Sequence, residues 1–136
     1  LNHAPIGMTG HLVFTAWDAD HPATQSPFVI SEIIRKRIGF DGLLLTDDLD
    51  MEALTGTVPE RAAKALAAGC DIALNCWARM DDMEGIAKAL PAMSAETARR
   101  LERAQVPTPC ADPVVERQAG LIAKRDLLLD LAEARA

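Results

Sequence analysis

Hydrophobic positions along this chain alternate between short unbroken runs and helical spacings. "GLLLTD" (42–47) is apolar without alternation, the pattern of a strand covered on both faces. "APIGMTGHLVF" (4–14) predicts a short buried strand that runs into a loop, and "DIALN" (71–75) a third short strand. Between the first two runs, Ile30, Ile33, Ile34 and Ile38 recur at helical spacing. Ser26 is placed to cap that helix, Pro27 to occupy its first position and Gly39 to stop it. Pro59 opens a second helix whose face carries Ala62, Ala63, Leu66 and Ala67, ended by Gly69. A third helix over about 81–90 carries Met83, Ile86, Ala87 and Leu90, and Ser94 caps a fourth that runs to about 104.

Three prolines within "QVPTPCADP" (105–113) cannot continue a helix, so this stretch reads as a linker. Residues 114–136 read as a C-terminal helix with Gly120 as its weak point. The expected organisation is therefore an α/β unit over 1–104, the linker, and that helix. The order β-α-β-α-β-α predicts a parallel sheet with right-handed crossovers. In such sheets function gathers beyond the C-terminal strand ends. Asp47 and Asp48 lie at one such end, with His11 and Asn75 near two others.

Adjacent carboxylates repel and resist burial, so "TDDLDMEAL" (46–54) needs a reason. Asp48 or Asp50 capping a short helix over 51–55 is the plain one. Asp47 directly follows Leu43-Leu44-Leu45-Thr46, so it belongs to the strand end and has little freedom to turn away. A carboxylate held that rigidly suits a nucleophile, such as that of a retaining glycosidase.

Composition narrows the setting. A net charge of −6 over 136 residues argues against an electrostatic grip on nucleic acid. No apolar run approaches the roughly 18 residues of a membrane span, and no leader pattern opens the chain. Cys70, Cys76 and Cys110 lack C-x-x-C spacing and read as reduced thiols of a cytoplasmic protein. No ligand cluster suggests a metal or an organic cofactor. The first residue is Leu1, which suggests a piece of something longer.

One alternative is a receiver-like phospho-acceptor domain using Asp48, because Asp48, Met51 and Gly56 resemble that family's spacing. Glu52 stands where receivers carry Pro. Ala78 and Arg100 stand near the places of their later Thr/Ser and Lys, and no acidic pair follows the first strand.

A longer pattern resembles glycoside hydrolase family 3. In "IIRKRIGFDGLLLTDDLD" (33–50), Ile33, Ile34, Arg35, Gly42, Leu43 to Leu45, Thr46 and Asp47 match its active-site segment. "MTGHLVF", "HPATQSP" and "RAAKALAAGCDIALNC" resemble further segments of its bacterial β-N-acetylhexosaminidases, so the likeness covers roughly residues 5–104. The resemblance implies the last three βα units of a (β/α)8 TIM barrel followed by C-terminal helices. It implies exo-hydrolysis of terminal β-linked N-acetylglucosamine, from glycans or muropeptide fragments, in cytoplasmic recycling of cell-wall material. By the same correspondence Asp47 is the nucleophile, Met51 walls the N-acetyl pocket, and Asp48 supports or caps. His11 is a candidate substrate contact, weighed against a purely structural hydrogen-bonding role. His3 and His21 read as loop residues in water, and Trp77 as a rim residue able to stack on sugar.

Such a barrel needs eight units and about 250 residues. The family's substrate-binding Lys-His-Phe-Pro-Gly-His-Gly segment and its His-Asp general acid/base loop are absent here. The expectation is that these 136 residues alone are inactive. With open sheet edges, they need the missing N-terminal barrel half or self-associate.

Overall fold

Three strands form one parallel sheet in the order β1–β2–β3. They are β1 (Ile6–Met8), β2 (Leu43–Asp48) and β3 (Ile72–Leu74) in a computed structural model that describes residues 4–105 and 120–127. Helices α1 (Val58–Ala68), α2 (Met80–Ala89) and α3 (Ala95–Gln105) follow β2 and β3. The chain divides after Val106 into two compact units. The first holds the sheet and these helices. In the second, residues 120–127 are helical; the rest of the expected C-terminal helix, and residues 106–113 of the expected linker, lie outside the described residues.

The β1–β2 crossover begins where the sequence places it. Ser26 is fully buried and its Oγ accepts the Val29 N–H at 3.1 Å, closing the first turn. The helix then widens over Val29–Arg37, where Ile38 N–H bonds back five residues to the Ile33 carbonyl at 2.8 Å. The isoleucine spacing does not announce that widening. Gly39 at φ 72° ends it, as expected of a residue without Cβ.

Helix α1 starts one residue earlier than Pro59 suggests. Thr57 Oγ1 accepts the Glu60 N–H at 3.5 Å while Glu60 Oε2 accepts the Thr57 N–H at 2.8 Å, a reciprocal cap. Pro59 is the helix's second residue. Gly69 closes the far end at φ 116°, with the Cys70 N–H bonded to the Ala65 carbonyl. Ala62 and Ala65 are fully buried, and their small side chains let α1 lie close to its neighbours.

Two apolar clusters fill one side of the sheet. Ile30, Phe40, Leu44, Ala65, Ala68 and Cys70 form the first; Leu49, Leu54, Val58 and Ala62 form the second. Phe40 lies so close over β1 that a Cβ on Gly7 would sit 2.8 Å from its ring. The other sheet face differs. Leu44 and Thr46 turn toward the helices and are buried, whereas Leu45 and Asp47 are half-buried. Ile6 and Met8, paired with Leu43 and Leu45, are 50% and 56% exposed. Leu43, on the same side as Leu45, is buried as well, so cover on that face is confined to the start of β2, and the first strand is three residues long and largely exposed.

At the N-terminal end of the sheet a single buried carboxylate gathers the layers. Asp71 Oδ2 accepts from Arg35 at 2.7 Å and from the Leu44 N–H at 2.9 Å. Its Oδ1 accepts from the Thr97 hydroxyl and from Arg100, each at 3.0 Å. Arg35 also donates to the carbonyls of Phe40 and Gly42 at 3.0 and 2.7 Å, fixing the entry into β2. This hub joins the wide helix, β2, β3 and α3.

Candidate active site

The C-terminal end of β2 is irregular at the residue of interest. Leu45 pairs with Ile72 but Asp48 pairs with Leu74, so β2 carries one residue more than β3 between those pairs. Such bulges re-aim side chains and interrupt pairing. Here the Leu74 N–H, which a regular ladder would give to a backbone carbonyl, is taken by Thr46 Oγ1 at 2.9 Å. Asp47 sits in the bulge, half-buried on the sheet face away from the helices. Its Oδ1 accepts the Asp48 N–H at 2.8 Å. One oxygen is fixed by that bond, and the other has no donor among the described residues.

The neighbouring carboxylates are occupied differently. Residues 51–55 form turns and no helix, so neither Asp48 nor Asp50 is a helix cap. Asp48 Oδ1 accepts the backbone N–H groups of Cys76 at 3.0 Å and Asp50 at 3.2 Å. Burial raises its pKa, but those N–H bonds outweigh it and hold the carboxyl below the usual range. Asp50, its side chain 2% exposed, accepts from the Asn75 amide at 2.7 Å and the Trp77 N–H at 3.2 Å, with Arg79 at 3.4 Å. Both residues therefore fasten the β3–α2 loop to the end of β2. A sequence pattern cannot pair groups 25 to 29 residues apart; the one available signal was Asn75 at a strand end.

His11 bridges two segments. Its Nε2–H donates to the Asp48 carbonyl at 2.9 Å, and Nδ1 pairs with the buried Thr24 hydroxyl at 2.8 Å, which in turn meets Thr9 at 2.9 Å. With both ring nitrogens engaged by protein, His11 braces the backbone directly behind Asp47. Met51 is 45% exposed in the loop beyond β2. Arg61 of α1 holds that loop, donating to the carbonyls of Leu49, Met51 and Gly56 at 2.8, 3.1 and 2.9 Å. Sequence reasoning did not single out Arg61.

The two described cysteines are unpaired. Burial pushes the Cys70 thiol up to about 12, which makes it a packing residue. Cys76, although exposed, is raised too, by partial desolvation and then by the charges of Asp48, Asp50 and Asp47. Cys110 lies outside the described residues. Among the described residues no trio of His, Cys, Asp or Glu is arranged to hold a metal ion, and no helix is long and apolar enough to cross a membrane. His21 does pair, with Asp18 at 3.2 Å, while Asp18 also takes the Ser26 hydroxyl at 2.6 Å.

Comparison with known proteins follows the same segment. Residues 2–106 match the N-terminal domain of glycosyl hydrolase family 3. A β-hexosaminidase of Bordetella pertussis is 40% identical over 101 residues, which cover 71% of this chain and 28% of that protein. The solved structure of a family 3 β-N-acetylglucosaminidase from a Paenibacillus species superposes with a TM-score of 0.62 at 28% identity, over 81% of this chain and 25% of that one. A β-N-acetylhexosaminidase from Beutenbergia cavernae gives a TM-score of 0.54 at 30% identity, over 75% of this chain and 31% of its own. The chain thus spans less than a third of the length of these relatives.

Proposed function

This chain belongs to glycosyl hydrolase family 3, and from that membership we propose that it supplies the sixth to eighth βα units of a (β/α)8 barrel. The whole protein removes terminal β-linked N-acetylglucosamine with Asp47 as nucleophile. The observation that carries this reading is Asp47 itself: a strand-end carboxylate in a bulge, one oxygen fixed by the Asp48 N–H and the other open. Relatives named β-hexosaminidase and β-N-acetylglucosaminidase support the reaction class.

In this reading Asp47 attacks the anomeric carbon, the bond to the leaving oxygen breaks, and a covalent glycosyl-enzyme forms that water then hydrolyses. Asp48 and His11 do not react. They fix the backbone on which Asp47 stands, and Met51 borders the pocket for the N-acetyl group. In this reading the proton for the leaving oxygen comes from the rest of the barrel, since Asp48, Asp50 and both ring nitrogens of His11 are taken up by partners within the chain. Such help is worth roughly 10²–10⁴ in rate, so the 136 residues alone do not turn over. The bare Ile6 and Met8 and the open edges of β1 and β3 fit a fragment completed by the rest of a barrel. The substrates are N-acetylglucosamine-containing glycans, cell-wall fragments among them, met in the cytoplasm. No cofactor or metal takes part.

The test is hydrolysis of a chromogenic β-N-acetylglucosaminide by the longest native reading frame containing this segment, beside its Asp47→Asn variant. Turnover lost in the variant with the fold retained supports the assignment. An inert but folded parent protein overturns it.

A further inference from the structure

We propose that Thr46 is the positioning residue of the nucleophile: its buried hydroxyl holds open the bulge that aims the Asp47 carboxylate. The inference rests on the hydrolase reading above and deepens it.

The distortion at Asp47 lies on one edge of β2 only. Against β1 the register is unbroken, with Ile6, Gly7 and Met8 opposite Leu43, Leu44 and Leu45, and the Thr9 N–H on the Leu45 carbonyl at 2.9 Å. Toward β3 the count fails. Alternation along β2 sends the Leu43 N–H to the Pro5 carbonyl, just before β1, and the Leu44 N–H to Asp71, just before β3. The same alternation would send the Leu49 N–H toward β1, yet it bonds the Leu74 carbonyl in β3 at 2.9 Å. One residue has been absorbed in between.

Two backbone donors are displaced by that extra residue, and a side chain answers each. Thr46 Oγ1 accepts the Leu74 N–H at 2.9 Å, and Asp47 Oδ1 accepts the Asp48 N–H at 2.8 Å. The second bond orients the nucleophile; the first keeps the two strands out of register, so that the Asp48 N–H stays free for it. Thr46 acts from the opposite face of the sheet. It is fully buried toward the helices, whereas Asp47 is half-buried on the other side. Its hydroxyl therefore does not meet the substrate and works through the backbone. A valine of the same shape would fill the space but leave the Leu74 N–H without its acceptor, a cost that a return to regular pairing relieves. That return would draw the Asp48 N–H back into the ladder and release Asp47.

The experiment uses the longest native reading frame with Thr46→Val, Thr46→Ser and, as a destabilised control, Ser94→Ala, which removes the cap of α3. The probe is a ring-fluorinated N-acetylglucosaminyl fluoride. Asp47 attacks its anomeric carbon, the carbon–oxygen bond forms as the carbon–fluorine bond breaks, and fluoride leaves with the electron pair and needs no proton from the enzyme. The ring fluorine slows hydrolysis of the adduct, so mass spectrometry reads the attack alone. Labelling in Thr46→Val should be about a hundredfold slower at saturating probe, the scale of a small misplacement of the reacting groups, with probe affinity little changed. Thr46→Ser and Ser94→Ala should label near the parent rate. Where Thr46→Val does not fold, Thr46→Cys, whose sulfur is a weak acceptor, takes its place and should label more slowly than Thr46→Ser. Parent-rate labelling in a folded Thr46→Val, or in Thr46→Cys where it stands in, overturns the positioning role. So does a Thr46→Ser as slow as Thr46→Val, an equal slowing in Ser94→Ala, or weaker probe binding at an unchanged maximal rate. A parent that is neither labelled nor able to hydrolyse N-acetylglucosaminides defeats the hydrolase reading itself, which an active parent with an indifferent Thr46→Val leaves standing.

Discussion

The two ends of the sheet use aspartate in opposite ways. At the N-terminal end Asp71 is buried with four donors on its two oxygens, from Arg35, Arg100, Thr97 and the Leu44 backbone. At the C-terminal end Asp47 is half-buried with one backbone donor on one oxygen. A charge removed from water must be repaid in full by fixed partners, and such a charge holds structure. A charge left with an open lone pair contributes little to stability and is available to react. In a parallel sheet that division falls along the strand direction, with stability at the start and chemistry at the finish.

Replacing each aspartate separates the two roles most sharply. On the proposed reading, Asp47→Asn should lower β-N-acetylglucosaminide hydrolysis by the whole protein on the order of 10⁴-fold or more, the scale of losing a nucleophile, with its unfolding midpoint unmoved. A shifted midpoint in urea would make Asp47 a structural group and dissolve the contrast. Asp71→Ala should do the reverse. Arg35 loses its carboxylate partner, Arg100 keeps only Glu96 and Asp41, and the Leu44 N–H loses its acceptor, at a cost of about 3–5 kcal/mol, read as a lower urea midpoint at unchanged slope.

Asp50 tests the middle ground, because it stands at the C-terminal end of β2 yet takes three donors, against four on Asp71 and one on Asp47. Asp50→Ala should cost about 1–3 kcal/mol and speed proteolytic cutting within 75–79, where Asn75 and the Trp77 N–H lose their acceptor. An unchanged cutting rate would mean that Asn75 and Asp48 hold this loop without it. The smallest effect is acid-dependent and concerns Asp18, in the loop between β1 and the wide helix. The Ser26 hydroxyl, with N–H donors from residues 20 and 21, brings the Asp18 carboxyl to about 2 from an ordinary 3.8. A carboxyl depressed in the folded protein adds stability that is complete above about pH 4 and lost as pH falls toward 2. Asp18→Asn should flatten the stability profile between those values, and an unaltered profile there would exclude Asp18 as its source.

Much of this could be read from the chain because local chemistry dictated it. Ser26 and Gly39 bound their helix where cap and stop residues should, and Ser94 takes the Thr97 N–H at 3.0 Å as the cap of α3. The run before Asp47 is a strand, and Asp47 lies at its C-terminal end. The misreadings have two causes. Residues 51–55 stay as turns because Arg61, held on α1, takes the carbonyls on either side of them; periodicity carries no trace of that partner. Thr57 was passed over because Pro59 is the louder signal, although the Thr57–Glu60 spacing of a reciprocal cap was present.

By itself, then, the sequence determined the alternation of strands and helices, their caps, and the identity of the residue at the end of β2, since each depends on neighbours within a turn or a strand. Tertiary structure alone decided what each carboxylate does. The bulge that frees Asp47, the arginines that saturate Asp71 and the loop that Asp48 and Asp50 fasten all join segments 25 or more residues apart. A carboxylate's role follows from how many donors reach it, and only the folded chain brings those donors within 3 Å.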